Sequence, residues 1–405
     1  MKTKIAFTLV ALGLAACLRP AHGQLVIPSD GSDGALTPGL SPTNVVIDLS
    51  QAVPGVWNAD NTANAGKGIY DSNKWAVVFK YSSVSIPAGV AVSFINHPTH
   101  APVVRLVQGN VAINGSVNLN GAAGTSSALQ ALTPAEPGPG GFRGAAAGPQ
   151  GTGSGLGPGG GNAGPSNGTG GLGLYSTSYG NPSVLPLIGG SGGGAQGNGA
   201  AGAAGGSLLV GAAGTVTIVG GVYAKGGSSP SFAGSGSGGA VRLIGSQILG
   251  SGEINCMGES GFIGALTGDA GRIRIESPVL AASLRTYPET IAVPPATPPL
   301  IWTPDVAPKV RVVSVDTFGA PADPTAPLVS SADVAIQNDT PAVIMLETSN
   351  FPIEGIVQVR AAQKWGTASW IRAYYVSGNQ ATAQWRATNT FVKGYTTLQA
   401  RATAP

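Results

Sequence analysis

Charged side chains are scarce in this sequence. They make up 10% of the 405 residues, and the formal net charge is +3, whereas ordinary domains carry about 25% charged residues. The basic residues are scattered, with no run of them after Lys4, so the chain lacks the basic stripe that nucleic-acid binding requires. Cysteine is equally scarce: Cys17 and Cys256 are the only two, which excludes the disulfide framework of many exported domains.

Glycine and proline, by contrast, are abundant, with 64 and 31 residues. Glycine is present at about twice its usual share of about 7%. Abundant glycine with little charge predicts short strands joined by many tight turns. The length leaves room for two or three domains.

The first residues predict an export signal, residues 1–23. Lys2 and Lys4 form a positive end, and Ile5–Ala16 form an apolar stretch that is shorter than the roughly 20 residues needed to span a bilayer. Ala21-His22-Gly23 fits signal peptidase and gives a mature start at Gln24. We therefore expect an exported protein, located outside the cell or on the outer surface, whose mature chain has no transmembrane segment.

A second processing site competes with the first. Leu14-Ala15-Ala16-Cys17 is similar to a bacterial lipobox, which would place a lipid on Cys17 and anchor the protein. The other interpretation is that Cys17 is removed with the signal. In either case Cys256 remains without a partner for an intramolecular disulfide.

Residues 77–286 contain a repeating unit of three short strands, each closed by glycine or asparagine. Apolar positions alternate within each strand, which predicts one inward and one outward face. Because one unit does not bury its own apolar face, the units must stack. We expect an all-β protein with a right-handed parallel β-solenoid. The alternative is an antiparallel meander with hairpins at Asn114-Gly115 and Asn120-Gly121. The units begin at Val77, Val103, Ser207, Ala240 and Arg272.

Alignment of the third strands pairs Leu119 with Ala224 and Cys256. This alignment predicts that Cys256 points inward as a small core residue. A buried thiol of this kind is inert.

Each unit is followed by a glycine-rich insertion, at 122–206, 227–239 and 259–271. The largest holds nearly half of the 64 glycines and has only Glu136 and Arg143 as charged residues. Ordering its backbone costs on the order of 100 kcal/mol, whereas its apolar side chains return about 25 kcal/mol if buried. The insertion is therefore either mobile or packed backbone to backbone as extended helices. All insertions should leave from one edge of the solenoid.

The two ends differ in composition from the middle. Residues 24–76 predict an N-terminal cap over the open end of the solenoid. Residues 287–308 are rich in proline and predict a stiff extended linker. Residues 309–405 contain several strand-like apolar stretches separated by glycine turns, which predicts an immunoglobulin-like β-sandwich.

Several segments together resemble a family of exported, glycine-rich bacterial proteins with β-helix cores. The resemblance covers most of residues 25–285, and it implies the fold and the export but no activity and no site residue. The segments that carry it are Gly31-Ser32-Asp33-Gly34-Ala35, Val84–Gly89, Val111–Leu119, Gly238–Leu243 and Gly271–Glu276.

Solenoids of this shape often host polysaccharide lyases and hydrolases, which need paired carboxylates or an acidic calcium site. Glu253 and Glu276 are on neighbouring units, where they could converge with Arg242 and Arg274 as catalytic residues. The favoured interpretation is an outward-facing charge ladder whose pairs contribute about 0–1 kcal/mol each. No catalytic residue is predicted otherwise.

Metal-binding candidates are few. His97 and His100 offer two imidazoles, but zinc needs three or four ligands, so an exposed polar turn is the favoured interpretation. Asp30 and Asp33 could bind calcium, although Asp-Gly pairs are ordinary turn formers. The sequence predicts no bound metal and no cofactor.

Aromatic residues are concentrated near the C-terminus, where Trp365, Trp370 and Trp385 could stack on sugar rings. The competing interpretation is a sandwich core. The sequence as a whole predicts a non-enzymatic secreted or cell-surface structural or adhesion protein. The alternative is a β-helix protein that binds or degrades polysaccharide. Expected partners are extracellular polysaccharide or cell-surface components, not nucleic acid.

Overall fold

The computed structural model of the chain describes residues 25–127, 133–149, 151–164, 179–229, 232–261, 267–316, 318–319, 334–336, 341–363, 365–390 and 394–405. These residues form an all-β structure, and the only helices among them are two short 3-10 turns, Leu49–Gln51 and Thr62–Asn64. The predicted export signal and Cys17 lie outside the described residues. Strands are numbered below in chain order.

Three sheets built mainly from parallel strands occupy the first three quarters of the chain. Sheet 1 contains, in spatial order, β21 (Ala292–Val293), β19 (Arg272–Glu276), β16 (Ala240–Ile244), β13 (Ser207–Ala212), β8 (Val103–Val107), β5 (Ala76–Tyr81), β4 (Ile69–Asp71) and β3 (Val53–Pro54). Sheet 2 contains β1 (Ala35–Leu36), β6 (Ser83–Ile86), β9 (Val111–Ile113), β14 (Thr215–Ile218) and β17 (Gln247–Leu249). Sheet 3 contains β2 (Asn44–Asp48), β7 (Ala91–Ile95), β10 (Ser116–Asn118), β15 (Gly221–Tyr223), β18 (Glu253–Asn255) and β20 (Arg285–Tyr287).

The repeating unit found in the sequence corresponds to one strand in each sheet. The unit that begins at Val103, for example, places β8 in sheet 1, β9 in sheet 2 and β10 in sheet 3. Successive units pair in parallel, as β8 does with β13, so the antiparallel meander is wrong. Parallel pairing continues through β20 and β21 to Val293, past the predicted end at residue 286.

The glycine-rich insertions all connect sheet 3 to sheet 1. They follow β10, β15 and β18 and return at β13, β16 and β19. They therefore leave from one edge, as predicted. Within the largest insertion, β11 (Ala147–Gly148) and β12 (Gly151–Thr152) form a short antiparallel pair.

Backbone hydrogen bonds pack the described part of the largest insertion. Along the segment 200–206, successive N–H groups donate in turn to three neighbouring segments, 119–125, 142–145 and 234–237. Ala203 N donates to Ala122 O at 3.0 Å, and Gly202 N donates to Gly234 O at 3.0 Å. A three-residue period of this kind is that of a polyproline II helix. The sequence left two alternatives for the insertion, a mobile loop or extended helices packed backbone to backbone. Its described residues have the second arrangement.

Glycine is required in these segments because the backbones approach closely. A Cβ added to Gly202 would lie 2.0 Å from the carbonyl oxygen of Gly227, and one added to Gly205 would lie 2.1 Å from that of Ala224. Small side chains fill the remaining space. A buried cluster between the segments consists of Ala145, Ala147, Ala195, Ala200, Ala201 and Ala233.

Sheet 1 is apolar on both faces. Its inner face, with Val103 and Val107, joins the main core between the three sheets. Its outer face, with Val104 and Leu106, is covered by a second cluster. The residues that cover this outer face come from distant segments and include Ile27, Val184, Leu187 and Ile301.

The Pro-rich segment 287–308 packs against this outer face. Ile301 is 5% exposed, and the Trp302 ring lies 5.4 Å from that of Trp57. The segment begins within the parallel sheets, because Tyr287 ends β20. The segment predicted as a stiff, extended linker is therefore attached to sheet 1 by apolar side chains.

The C-terminal residues form a separate antiparallel sheet, here called the terminal sheet. Its spatial order is β23 (Phe318–Gly319), β22 (Lys309–Val315), β25 (Pro341–Ser349), β28 (Thr382–Thr390), β27 (Trp370–Gly378), β26 (Ile356–Gln363), β29 (Gly394–Thr403) and β24 (Val334–Ile336). Its core includes Ile344, Leu346, Val357, Val359 and Trp385. Strand β28 has no continuous apolar stretch to mark it in the sequence, because polar residues alternate along it with Ala383, Trp385 and Ala387.

Arg360 joins the terminal sheet to the largest insertion. It is 1% exposed, and its NH1 donates to Gly155 O at 3.0 Å while its Nε donates to Ala368 O at 3.1 Å. Burial, together with nearby Arg401, lowers the pKa of the Arg360 guanidinium to about 10. The insertion thus supplies carbonyl acceptors to a buried cation of the terminal sheet.

Candidate functional site

Glu276 lies in a buried ion cluster on the outer face of sheet 1. Its Oε1 accepts hydrogen bonds from Arg242 Nε and Arg274 Nε, each at 2.9 Å. Glu276 is 3% exposed and Arg242 is 1% exposed. The predicted outward-facing pairing of arginines with Glu276 is confirmed. The cluster is not exposed, however, because other segments cover this face of the sheet, so the value of about 0–1 kcal/mol for an exposed pair does not apply to it.

Glu253 lies on a different sheet from Glu276. It is the first residue of β18 in sheet 3, paired in register with Arg285 of β20, and Arg285 NH2 is 3.6 Å from Glu253 Oε2. The predicted convergence of Glu253 with Glu276, Arg242 and Arg274 is therefore wrong. Each carboxylate is held by its own arginine partners, so the two do not form the facing pair that glycoside hydrolysis requires.

The two histidines are buried rather than exposed. The predicted turn is present, since His100 N donates to His97 O at 2.8 Å, but its predicted exposure is wrong, because His97 is 9% exposed and His100 is 1% exposed. The insertion covers this turn, since Gly140 N donates to His100 O at 2.6 Å. The His97 ring stacks on Tyr70 with ring centroids 4.0 Å apart, and its Nδ1 lies 2.8 Å from Thr99 Oγ1.

His100 is uncharged at neutral pH. Its Nε2 lies 3.7 Å from the Glu136 carboxylate, a distance that would suggest an ion pair. Burial, however, together with the positive charge of Arg143, lowers the pKa of His100 to about 3. We favour the neutral imidazole, because the His100 side chain is almost fully buried whereas Glu136 is about half exposed.

Asp33 serves as an acceptor for the surrounding backbone. Its Oδ1 accepts from Asn61 Nδ2 at 2.6 Å, Gly66 N at 3.0 Å and Gly68 N at 3.4 Å, and its Oδ2 accepts from Lys80 N at 2.7 Å. This carboxylate ties the N-terminal segment to β5. Both carboxylate oxygens already accept hydrogen bonds, so few of their lone pairs remain to bind the calcium ion considered above.

Asp30 forms an ion pair with Lys80 and does not join Asp33 in a calcium site. Lys80 Nζ lies 2.6 Å from Asp30 Oδ2, and Ser32 N donates to Asp30 Oδ1 at 2.9 Å. These contacts lower the pKa of Asp30 against the opposing effect of desolvation. Among the described residues, no group of three or more His, Cys, Asp and Glu side chains is arranged to hold a metal ion.

Cys256 is fully buried in the inner core, next to the strand β18. The register aligns it with Leu119 and Ala224, because Asn118, Tyr223 and Asn255 pair directly before them. Burial raises the pKa of the Cys256 thiol. The predicted inward position is confirmed.

The three tryptophans proposed for sugar stacking differ in environment. Trp385 is 3% exposed and its Nε1 donates to Thr348 Oγ1 at 2.8 Å, so it is a core residue. Trp365 is half-buried beside Gly151 of the insertion. Trp370 is half-buried, with the Arg401 guanidinium 4.2 Å from its ring centroid. The three rings do not form one common platform.

Trp370 instead lines a cavity of about 640 Å³ between sheet 1, the largest insertion, the Pro-rich segment and the terminal sheet. This volume is typical of a small-molecule site. Sheet 1 contributes Val104 and Leu209, and the insertion contributes Leu156 and Leu185. The aromatic residues of its wall are Trp75, Phe142, Trp302 and Trp370.

The charged residues of the cavity lie mostly on the terminal sheet and on the segment before it. Arg311 and Glu347 face each other across β22 and β25, with Arg311 Nε donating to Glu347 Oε1 at 2.9 Å. Lys309 and Asp305 are exposed, and Lys74 Nζ lies 5.9 Å from the centroid of the Trp302 ring. All five line the cavity.

Sequence reasoning missed this cavity because its lining residues are far apart in the chain. Two signals were available, and the first is Val184–Ile188, a run of large apolar residues and one proline in the otherwise glycine-rich sequence 122–206. Such a run predicts a contact with another apolar surface. Trp302, in the Pro-rich segment, was a second such signal.

Arg105 is a further residue that the sequence analysis missed. It points into the inner core, in register with Phe79 on one side and Val210 on the other. It is 1% exposed, its guanidinium lies 5.4 Å from the Phe94 ring centroid, and its Nε and NH2 have no hydrogen-bond partner among the described residues. Burial lowers the pKa of this guanidinium, which nevertheless stays charged in proteins.

We expect the substitution Arg105→Met to raise the free energy of unfolding by about 1–3 kcal/mol, because it removes a buried charge without a carboxylate partner. Urea denaturation followed by circular dichroism measures the change. Arg242→Met is the matched control and should lower stability, since it removes a partner of buried Glu276. Loss of stability in Arg105→Met would contradict the assignment of an uncompensated charge.

The parts of the chain that the structure describes contain no helix long and apolar enough to cross a membrane. Comparison with known proteins adds no relative: no protein-family model, no curated protein and no solved structure matches this chain.

Proposed function

We propose that the chain is an exported, non-enzymatic structural or adhesion protein of the outer surface or the extracellular space. In this proposal the three parallel sheets form a right-handed β-solenoid, and the terminal sheet forms an immunoglobulin-like sandwich. The stacking of successive units in parallel register supports the solenoid. The N-terminal pattern of Lys2, Lys4 and an apolar stretch supports export, and a lipid on Cys17 is the alternative to a free mature start at Gln24.

One observation carries the structural role: the described residues of the largest insertion are packed through their backbone. Segment 200–206 is hydrogen-bonded to neighbours on three sides, and the insertion accepts hydrogen bonds from Arg360 of the terminal sheet. An insertion held by backbone hydrogen bonds and by contacts with the terminal sheet is what we expect of a stiff scaffold protein. The carboxylates considered for catalysis are held by arginines, with Glu276 buried.

A second candidate, polysaccharide binding, is favoured by the half-buried Trp370 at the cavity. Indole rings at partly exposed positions suit stacking on sugars. Trp365 is outside the residues that line this cavity, so only Trp370 of the three predicted tryptophans supports this candidate.

The test is incubation of the mature chain with neutral and acidic polysaccharides, with reducing ends and unsaturated products measured beside binding to a glycan array. We expect no product, because neither Glu253 nor Glu276 faces a free carboxylate. Binding that is lost in Trp370→Ala and kept in Trp365→Ala would support the second candidate. Turnover that disappears in Glu253→Gln would overturn the non-enzymatic proposal.

A further inference from the structure

The floor of the cavity is aliphatic. Val104 and Leu209 project from the outer face of sheet 1, and Leu187 and Ile301 lie around them in the same apolar cluster. Leu185, which is 5% exposed, also lines the cavity. A floor without polar side chains offers no partner for sugar hydroxyl groups. Burying such groups without hydrogen bonds costs free energy. The floor therefore favours a ligand with a hydrocarbon body.

The rim of the cavity is polar and carries an excess of unpaired positive charge. Arg311 is neutralised by Glu347 at 2.8 Å. Lys74 and Lys309 have no carboxylate within 4.0 Å among the described residues, and Asp305 is the one unpaired acid at this rim. Because two unpaired lysines outnumber one unpaired aspartate, the rim has a net positive charge and favours a ligand with an anionic head group.

We propose that this cavity binds a single-chain anionic amphiphile, such as a long-chain carboxylate. The hydrocarbon chain lies on the floor formed by Val104, Leu209 and Leu187, and the carboxylate faces Lys74 at the rim. The volume of about 640 Å³ accommodates one such molecule, within the size range of small-ligand pockets. This inference goes beyond the scaffold or adhesion role and does not depend on it.

The test is isothermal titration calorimetry of the mature chain with dodecanoate below its micellar concentration. Octanoate and decanoate give a chain-length series, and dodecanol removes the head-group charge. We expect affinity to rise about fourfold per added methylene and the heat-capacity change to be negative, which marks burial of apolar surface. Butyrate should not bind measurably.

Two variants locate the site. Leu156→Trp places a larger side chain in the cavity and should weaken dodecanoate binding at least about tenfold, whereas Leu40→Trp, at a position 70% exposed, should leave it unchanged. Lys74→Gln should weaken dodecanoate by roughly fivefold and dodecanol hardly at all. Lys67→Gln, at an exposed position outside the cavity, is its matched control.

Failure of dodecanoate to bind, or binding that Leu156→Trp and Lys74→Gln leave intact, would overturn the proposal. Displacement of dodecanoate by a short oligosaccharide with higher affinity would assign the cavity to a sugar instead. Circular dichroism of each variant checks its fold. Lys74 lies at the rim, so its substitution keeps the test informative if Leu156→Trp does not fold.

Discussion

Substitution of Glu276 by glutamine should lower the free energy of unfolding by about 3–5 kcal/mol, the effect of leaving a buried charge without its partner. Arg242 is 1% exposed, and its Nε and NH2 both contact Glu276 Oε1. Its NH1 already has no hydrogen-bond partner among the described residues. Loss of the carboxylate charge would therefore leave the guanidinium with almost no compensation.

Glu253→Gln is the matched control for this substitution. Glu253 also pairs with an arginine, but Arg285 is 61% exposed and the two groups are 3.6 Å apart. Pairs of this kind contribute about 0–1 kcal/mol, so the control should change stability little. Chemical denaturation of both variants, followed by circular dichroism, gives the comparison.

A double substitution separates the loss of a charge partner from the loss of packing. Arg242→Met combined with Glu276→Leu removes both buried charges, and apolar replacements of buried ion pairs are often neutral or stabilising. We expect the double variant to recover most of the stability lost in Glu276→Gln. Equal effects of Glu276→Gln and Glu253→Gln would show that the cluster on sheet 1 is hydrated, contrary to our interpretation.

Gly202→Ala should lower the free energy of unfolding by about 2–3 kcal/mol, comparable to overpacking a tight core. The added Cβ would lie 2.0 Å from the carbonyl oxygen of Gly227. The contact is with backbone, which relaxes only by separating two segments. That separation would also disturb the hydrogen bond from Gly202 N to Gly234 O.

The control is Gly39→Ala, where the nearest atom to an added Cβ is 3.7 Å away. Both substitutions reduce the entropy of the unfolded chain equally, which stabilises by about 0.4–1 kcal/mol where the fold has room. Gly39→Ala should therefore be neutral or slightly stabilising. Unchanged melting of Gly202→Ala in a thermal denaturation would argue against close backbone packing in the insertion.

The repeat could be predicted from the sequence because its apolar residues alternate with the period of a strand. Leu119, Ala224 and Cys256 were aligned from their spacing alone, and in the structure each directly follows one of three neighbouring strands of sheet 3, β10, β15 and β18. The prediction that all insertions leave from one edge came from the same repeat, because each insertion follows the third strand of its unit. Local spacing suffices here, because each strand pairs with its equivalent in the next unit.

The two similar strands around Arg105 and Arg242 show where local spacing fails. In each, arginine stands third, in Val-Val-Arg-Leu-Val and Ala-Val-Arg-Leu-Ile. The register pairs Leu208 with both Val103 and Val241, so the strands are offset by one residue. An offset of one residue exchanges the two faces, and Arg105 points inward whereas Arg242 points outward.

The candidate site depended still more on tertiary structure. The two-residue period of a strand gives sheet 1 an outer face, and an outer face is normally solvated. Here Ile27, Leu187 and Ile301 cover it, which buries the Arg242–Glu276 cluster and forms the floor of the cavity. Nothing in the local pattern specifies which distant segment covers which sheet.

The sequence by itself determined the all-β class, the repeating strands, the inward Cys256 and the common edge of the glycine-rich insertions, because these depend on residue period and turn chemistry. Only the tertiary structure decided that the described residues of the insertion pack through their backbone, that His97, His100 and the Glu276 cluster are buried, and that a cavity lies beside Trp370. Those features arise where segments far apart in the chain meet. The free energy of each such contact depends on how much water it excludes from the side chains involved.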